Sequence, residues 1–416
     1  MKKIIYIAFY YNHTNEIASK RLQGLAKYLP EYGFEPIVIV PETGNKIPEN
    51  NIRVVQTPYT DMMDKFMPKS DSKEVSAPKK ESKPNKILSK MIHYAGEVFA
   101  YPDGMKYWYT PAMKETSRII ENEDIYGIIS TSFPVTSHII AHDLAAKYDL
   151  PWIADLRDLW NLNPYINHFF IRDYSERKLE KKTFANASVL TTTTEMARDR
   201  LQSLHPNKKI ISVPSGYDPD DFKDLKPSKT DDQLRFMYAG SLYNGKRDPT
   251  ILFSGIKQLI DEGKIDSDKI TLDFYGDRGN LEELSSKFKI TDIVNVNGKI
   301  PHDQVLKEQM NSDVLLLISW MDEKEKMFIP GKVYEYMGCR KPVLSIGYRE
   351  GSLKDMIEKT NIGYHASSED EAKKYIYEYY TKYLNNELEY NANEYAKEYT
   401  MKNMAKRYAE ILEEIK

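Results

Sequence analysis

Short β-branched runs alternate with amphipathic stretches along most of this chain, and that alternation limits the folds open to it. Residues 3–9 read as a buried strand. Residues 16–32 follow as a helix with Ile17, Leu22, Leu25 and Leu29 on one side, Gly33 ends it, and residues 35–40 form a second strand. A β-loop-α-β order needs a crossover connection, which is right-handed, and the strands it joins are parallel. A third strand is expected at 52–56.

Regular structure then lapses. Residues 68–86 hold six lysines, three acids, four serines and three prolines. Such a stretch has no apolar face to bury, so it reads as a disordered insertion. Helices are expected at 87–99 and 111–121, around an aromatic loop at 101–109. Alternation resumes with strands at 127–130, 152–155, 188–192 and 210–213, and helices at 135–148, 173–186 and 195–204. Residues 214–232, which carry prolines, one glycine and many acids, read as a linker. A second block repeats the pattern, with strands at 234–239, 270–275, 294–297, 314–318 and 342–346. Its helices are expected at 249–262, 281–288, 303–310, 332–337 and 352–358. A tyrosine-rich helical tail covers 368–415. No short internal repeat is present.

The expected division is therefore a first domain over 1–213, a linker over 214–232 and a second domain over 233–385. A terminal helical segment, 386–416, is expected to cross back to the first domain. Two or three domains suit 416 residues at ~100–200 residues each. Two doubly wound α/β halves place a ligand cleft at the carboxyl ends of their strands.

Composition excludes several function classes. Lysine plus arginine number 59 against 62 acids, a net charge of −3. A nucleic-acid binder needs a basic excess to release counterions. The one cysteine, Cys339, rules out a disulfide framework and a multi-cysteine metal cluster. The most apolar runs, 4–11 and 314–321, fall far short of the ~18 residues of a membrane span. A soluble, cytoplasmic protein is expected. The lysine-rich insertion beside the tyrosines of 87–109 offers contact with the inner face of an anionic membrane, or is simply a solvated loop.

Several motifs carry chemistry. Gly240-Ser-Leu-Tyr-Asn-Gly245-Lys246-Arg247 lies between a strand and a helix and nearly matches a P-loop. Arg247 stands where a P-loop needs a magnesium-binding hydroxyl. Two glycines and two adjacent cations suit a diphosphate that needs no metal. In Phe328-Ile-Pro-Gly-Lys-Val-Tyr-Glu335, Pro330 and Gly331 place Lys332 in the first turn of a helix, with Glu335 one turn on. The lysine and the helix N–H groups suit phosphate, and the carboxylate suits ribose hydroxyls. Arg157 and Asp158 follow the strand at 152–155; they orient a substrate hydroxyl or brace a loop. The first loop, 10–19, can hold an anion at a helix start, but lacks the glycines of a dinucleotide fingerprint. His138 and His142 have the spacing of a zinc helix without its glutamate, Ile139 standing instead. Asp218, Asp220 and Asp221 read as a turn with helix-capping acids.

With these residues in place, the chain resembles a GT-B glycosyltransferase of the family 4 kind over nearly its whole length. The first half matches through Arg21-Leu-x-x-Leu-Ala-Lys-Tyr-Leu29, Ser130-Thr-Ser-Phe-Pro-Val-Thr-Ser-His138 and Pro151-Trp-Ile-Ala-Asp-Leu-Arg-Asp-Leu-Trp160. Val213-Pro-Ser-Gly-Tyr-Asp218 resembles the interdomain signature, and Phe222 follows where the family often has phenylalanine. The second half matches through Gly240 to Arg247, Tyr275-Gly276, and Pro330 to Glu335 running into Lys341-Pro-Val-Leu344.

The resemblance implies two Rossmann-like domains facing a cleft, with C-terminal helices. It implies transfer of a sugar from a nucleotide diphosphate sugar to a glycan or lipid-linked acceptor, without bound metal or other cofactor and with retention. Gly240, Lys246, Arg247, Gly276, Gly331, Lys332 and Glu335 would hold the donor. Arg21 and Ser132 would meet the acceptor, and Arg157 and Asp158 would be catalytic. Ser241 replaces the family's diphosphate arginine, and Met327 replaces the glutamate that contacts the donor sugar, which leaves open the sugar and the stereochemistry. A P-loop-like hydrolase and a non-catalytic nucleotide- or sugar-binding protein are the competing readings. Only Val75 and Ala77 are apolar within 68–86, so deleting that stretch is expected to preserve one cooperative melting transition.

Overall fold

The computed structural model describes residues 1–13, 17–48, 51–60, 100–166, 168–228, 232–243 and 245–416. The expected insertion at 68–86 and helix at 87–99 lie outside them. Two compact units emerge: Met1–Thr193 with Ala197–Val213 and Ala405–Lys416, and Pro214–Met404 with Thr194–Met196.

The first unit holds strands β1 (Lys2–Ile7), β2 (Phe34–Pro41), β3 (Arg53–Thr57), β4 (Ile125–Thr131), β5 (Trp152–Leu156), β6 (Val189–Thr192) and β7 (Ile210–Ser212). They form one sheet in the order β3-β2-β1-β4-β5-β6-β7, parallel at every pairing. Its helices are α1 (Ile17–Tyr28), α2 (Tyr109–Asn122), α3 (Thr136–Tyr148), α4 (Phe170–Thr183) and α5 (Glu195–Leu204). A sheet covered on both faces buries whole strands, and Ile4–Ile7 and Ile37–Val40 are accordingly inaccessible to water. The helix expected to reach residue 32 stops as α-helix at Tyr28. Pro30 supplies no N–H to the ladder, so Leu29–Tyr32 tightens to a 3₁₀ turn before Gly33.

The second unit repeats the plan with β8 (Leu234–Gly240), β9 (Ile270–Gly276), β10 (Val294–Gly298), β11 (Val314–Ile318), β12 (Val343–Ile346) and β13 (Gly363–Ala366). Their order is β10-β9-β8-β11-β12-β13, again parallel. Helices α6 (Thr250–Asp261), α7 (Leu281–Lys287), α8 (His302–Asn311), α9 (Lys332–Cys339), α10 (Ser352–Thr360) and α11 (Glu369–Leu384) flank it, and α12 (Met401–Glu414) ends the chain. Strand β13 escapes sequence reading: Gly-Tyr-His-Ala has no β-branched residue and owes its conformation to its ladder with β12. The tyrosine-rich tail has a packing reason. Tyr379 and Tyr380 are buried in the core, and their hydroxyls bond the Val343 carbonyl at 2.9 Å and the Asp266 N–H at 3.1 Å. Phe222 packs its ring where a side chain on Gly338 of α9 would stand.

One buried carboxylate ties the first unit together. Asp155 on β5 lies in register with Thr131 on β4 and Thr191 on β6. Both threonines donate to it, at 3.2 and 3.1 Å. Arg21 of α1 adds a bond at 3.3 Å, and the Tyr408 hydroxyl of α12 one at 2.7 Å. Burial alone would raise the Asp155 carboxyl, but the Arg21 charge and these hydrogen bonds leave it below its ordinary value. A depressed carboxyl stabilises the fold above the unfolded value, ~3.9, and that contribution fades as pH falls through the folded value. Asp155→Ala, which strands the buried Arg21 charge, is expected to cost about 3–5 kcal/mol. Tyr408→Phe is expected to cost about 1–2 kcal/mol, measured by denaturant melts at pH 7. The Asp155→Ala difference should shrink in acid.

Candidate functional site

The order of the second sheet reverses between β8 and β11, and a doubly wound sheet opens its crevice at that point. Gly240 ends β8 and Gly276 ends β9, side by side in register. Both take positive φ, 143° and 123°. A Cβ on Gly276 would collide with the Gly240 carbonyl, and one on Gly240 with the Lys332 ammonium. Glycine here is what lets a lysine lie against the strand end.

The turn after Gly240 is closed by its own backbone: the N–H groups of Gly245 and Arg247 both bond the Leu242 carbonyl at 3.1 Å. The Tyr238 hydroxyl donates to the Ser241 carbonyl at 2.8 Å, and the Ser241 hydroxyl donates to Asp277. Arg247 lies over the Tyr243 ring, 4.5 Å from its centre, and donates one N–H to the Ser241 carbonyl at 3.3 Å. Its Nε has no acceptor among the described residues. Lys246 sits 4.5 Å over the Trp320 ring. The loop therefore presents two cations steadied by aromatic faces.

Lys332 opens α9 from the second position expected to bind an anion. Its ammonium is buried, lies 4.3 Å over the Tyr238 ring, and has no hydrogen-bond acceptor among the described residues. Burial, with repulsion from Arg247, pushes it down to about 7 against the pull of Glu335 and Asp277. A buried cation without an acceptor is costly, and an arriving anion would remove that cost.

Glu335, one turn further along α9, pairs not with Lys332 but with His302 at the start of α8, Oε2 to Nε2 at 3.1 Å. Glu335 is mostly covered while His302 is about half exposed. Sequence reading missed His302, whose only signal is its place after Pro301 at the first position of a helix, and also missed Asp277. Of the expected donor residues, the fold gathers Gly240, Arg247, Gly276 and Lys332 into one contact set. Glu335 and Gly331 join through α9, and Lys246 through the loop.

In the first unit, Arg157 and Asp158 form an ion pair at 2.7 Å, each somewhat over a quarter exposed. The Ser132 hydroxyl donates to the Asp158 carbonyl at 2.9 Å, so the β4 and β5 ends are linked. Arg21 corrects its expected role. It is 3% exposed, with its Nη2 turned to Asp155, the Val213 carbonyl and the Tyr408 hydroxyl, which puts it in the core rather than against an acceptor. A pocket of about 430 Å³ lies instead at the carboxyl ends of β1, β2 and β3. Phe9, Tyr10, His13, Glu42, Tyr59 and Met105 line it; neither Arg21 nor Ser132 does. Phe9 anchors its aromatic wall, edge-on to Tyr10, Tyr59 and Trp108 at 5.1–5.3 Å.

The two histidines of α3 meet different partners. His138 is buried, 2.7 Å from the Ser130 hydroxyl and pushed down to about 3 by burial, while His142 meets Asn186. Among the described residues no group of three or more His, Cys, Asp or Glu side chains is placed to hold a metal ion. Asp218 caps the turn it was expected to cap, accepting from the Asp220 N–H at 3.0 Å. No helix among the described residues is long and apolar enough to cross a membrane.

Lys332 gives a test of the site that needs no ligand. Its folded-state value lies below that of the unfolded chain, so its charge opposes folding fully at or below pH 7, and the penalty fades as pH climbs toward the ordinary lysine value. Lys332→Met is expected to stabilise the protein by about 1–3 kcal/mol at pH 6.5, or about 2–4 °C per kcal/mol in melting temperature. The gain should dwindle by pH 10.

Comparison with known proteins agrees with this geometry. Residues 233–380, most of the second unit, match the family described as glycosyl transferases group 1. No curated protein matches the chain in sequence. Among solved structures, the fold matches sucrose-phosphate synthase from Thermosynechococcus elongatus at TM-score 0.64 and 12% identity, over 100% of this chain and 99% of that one. A glycosyltransferase from Rickettsia africae matches at 0.65 and 15%, over 100% and 98%. Anabaena HepE in complex with UDP and glucose matches at 0.62 and 11%, over the full length of both. The chain thus has the GT-B fold, and its residues 233–380 match the glycosyl transferases group 1 family.

Proposed function

We propose that the protein transfers a sugar from a nucleotide diphosphate sugar, bound by the second unit, to a glycan or lipid-linked acceptor bound by the first. The observation that carries this reading is Lys332: a buried ammonium without an acceptor, set beside Arg247 at the switch point of a doubly wound sheet. A diphosphate supplies the missing acceptors. Glu335 receives the ribose hydroxyls, and His302 holds its carboxylate in place. HepE carries UDP and glucose on the same fold, so uridine diphosphate sugars are the first donors to try.

The chemistry follows from charge. As the glycosidic bond to the diphosphate breaks, negative charge grows on the leaving oxygen. Lys332, Arg247, Lys246 and the N-terminus of α9 stand ready to stabilise it without reorganising. We propose that this arrangement makes the transfer independent of a divalent metal. We further propose retention, the acceptor hydroxyl attacking from the face the diphosphate leaves, with Arg157 and Asp158 orienting that hydroxyl. The pocket bounded by Phe9, Tyr10 and Tyr59 is proposed to seat the acceptor: aromatic faces cover the C–H surface of a sugar ring while Glu42 bonds its hydroxyls. We place the reaction in the cytoplasm, where nucleotide sugars would be at hand.

Met327 and Ser241, standing where the family has glutamate and arginine, keep a second reading open: donor binding without transfer. Donor turnover in the presence of acceptor extracts separates the two.

Two measurements test the donor site. Glu335→Gln should weaken nucleoside and nucleoside diphosphate alike, about tenfold, because both keep the ribose. Lys246→Ala with Arg247→Ala should weaken the diphosphate far more than the nucleoside. Calorimetry with UDP and uridine reads both; unchanged UDP affinity in the double variant refutes the diphosphate assignment. Transfer that survives EDTA supports the metal-free reading, and loss restored by magnesium or manganese refutes it.

A further inference from the structure

Helix α4 wears its polarity inside out. Arg172, Glu176 and Glu180, four residues apart, are its buried side. Their charges are satisfied there: Glu176 accepts from the Trp160 indole at 2.7 Å, and Glu180 lies 3.0 Å from the His205 ring. The outward side of the first turn carries Phe170, Ile171 and Tyr174, which are 84%, 68% and 64% exposed. At 100° per residue these three share one face, and the preceding loop adds the partly exposed Tyr165 and Ile166. Single apolar residues at a surface need no explanation, but three large ones on one turn, with carboxylates turned inward instead, form a patch that water does not favour.

The same face continues as a cationic one. Lys178, Lys181 and Lys182 are exposed along it, with Arg177 beside them. Of the carboxylates of α4, Glu176 and Glu180 are buried, and Asp173 is engaged by Arg177 at 3.0 Å. A chain of net charge −3 thus carries a locally positive face, directly next to its exposed aromatics.

We propose that this face of α4 docks the protein on an anionic lipid surface. Charge complementarity selects that occupant: lysines on flexible stems reach headgroup phosphates while Phe170, Ile171 and Tyr174 enter the headgroup–acyl boundary. Protein interfaces, in contrast, are depleted in lysine. The proposal rests on α4 alone and is independent of the donor site.

The test uses the full chain and sedimentation with vesicles of phosphatidylcholine, or of phosphatidylcholine mixed with phosphatidylglycerol. The parent should sediment with the anionic vesicles only, and less as salt rises. F170S/I171S/Y174S should lose sedimentation at every salt concentration. K178Q/K181Q/K182Q should lose about a hundredfold in vesicle affinity at low salt, at about 1 kcal/mol per cation and 1.4 kcal/mol per decade. Both variants replace exposed side chains and should keep the parent's melting temperature and UDP affinity. A parent that stays in the supernatant with anionic vesicles overturns the proposal. So do variants that sediment as the parent does, which would move the attachment elsewhere in the chain. A parent that self-associates, with the apolar variant returning it to monomer and neither binding vesicles, overturns it in favour of a second copy.

Discussion

A parallel sheet sets every strand's carboxyl end on one edge, and each unit of this protein is built around that constraint. In the second unit the edge brings Gly240 and Gly276 together in register, and the reversal between β8 and β11 opens the space that Lys332 fills. In the first unit the same edge carries Ser132, Asp155 and the Arg157–Asp158 pair, and the loops after β1, β2 and β3 line the pocket around Phe9. Helices cover both faces of such a sheet, so the edge is where polar groups can gather without breaking the core.

Two buried charges show how differently such groups are treated. Asp155 is fully answered: two threonines, an arginine and a tyrosine converge on its oxygens, and it binds together helices from opposite ends of the chain. Lys332 has an aromatic face on one side and, among the described residues, no acceptor. The first arrangement is a structural fastening; the second is the basis on which an anion site is proposed. The difference separates a residue that holds the fold from one that the fold buries at a cost.

The sequence made much of this legible. Hydrophobic period and turn residues marked most of the strands, because parallel strands buried on both faces read as continuous apolar runs. Gly240 to Arg247 and Pro330 to Glu335 were readable as candidate sites because glycine and proline beside cations have few structural uses at strand and helix ends. Strand β13 was not legible, since Gly363–Ala366 has Tyr364 as its one strand-favouring residue and depends on its ladder with β12. Arg21 was misjudged for a related reason: its motif showed a charge but not the carboxylate, on a strand far along the chain, that would enclose it.

What the sequence determined by itself is local: element type, order, parallel sense, and the chemical kind of each loop. Tertiary structure alone decided which distant residues share a site. His302 reaches Glu335 because α8 and α9 start on the same edge of the second unit. Phe170 and Ile171 face solvent because the carboxylates of their own helix found Trp160 and His205 inside. Periodicity encodes which residues share a face; it does not encode what that face will meet, because the partner is chosen by packing across long sequence separations.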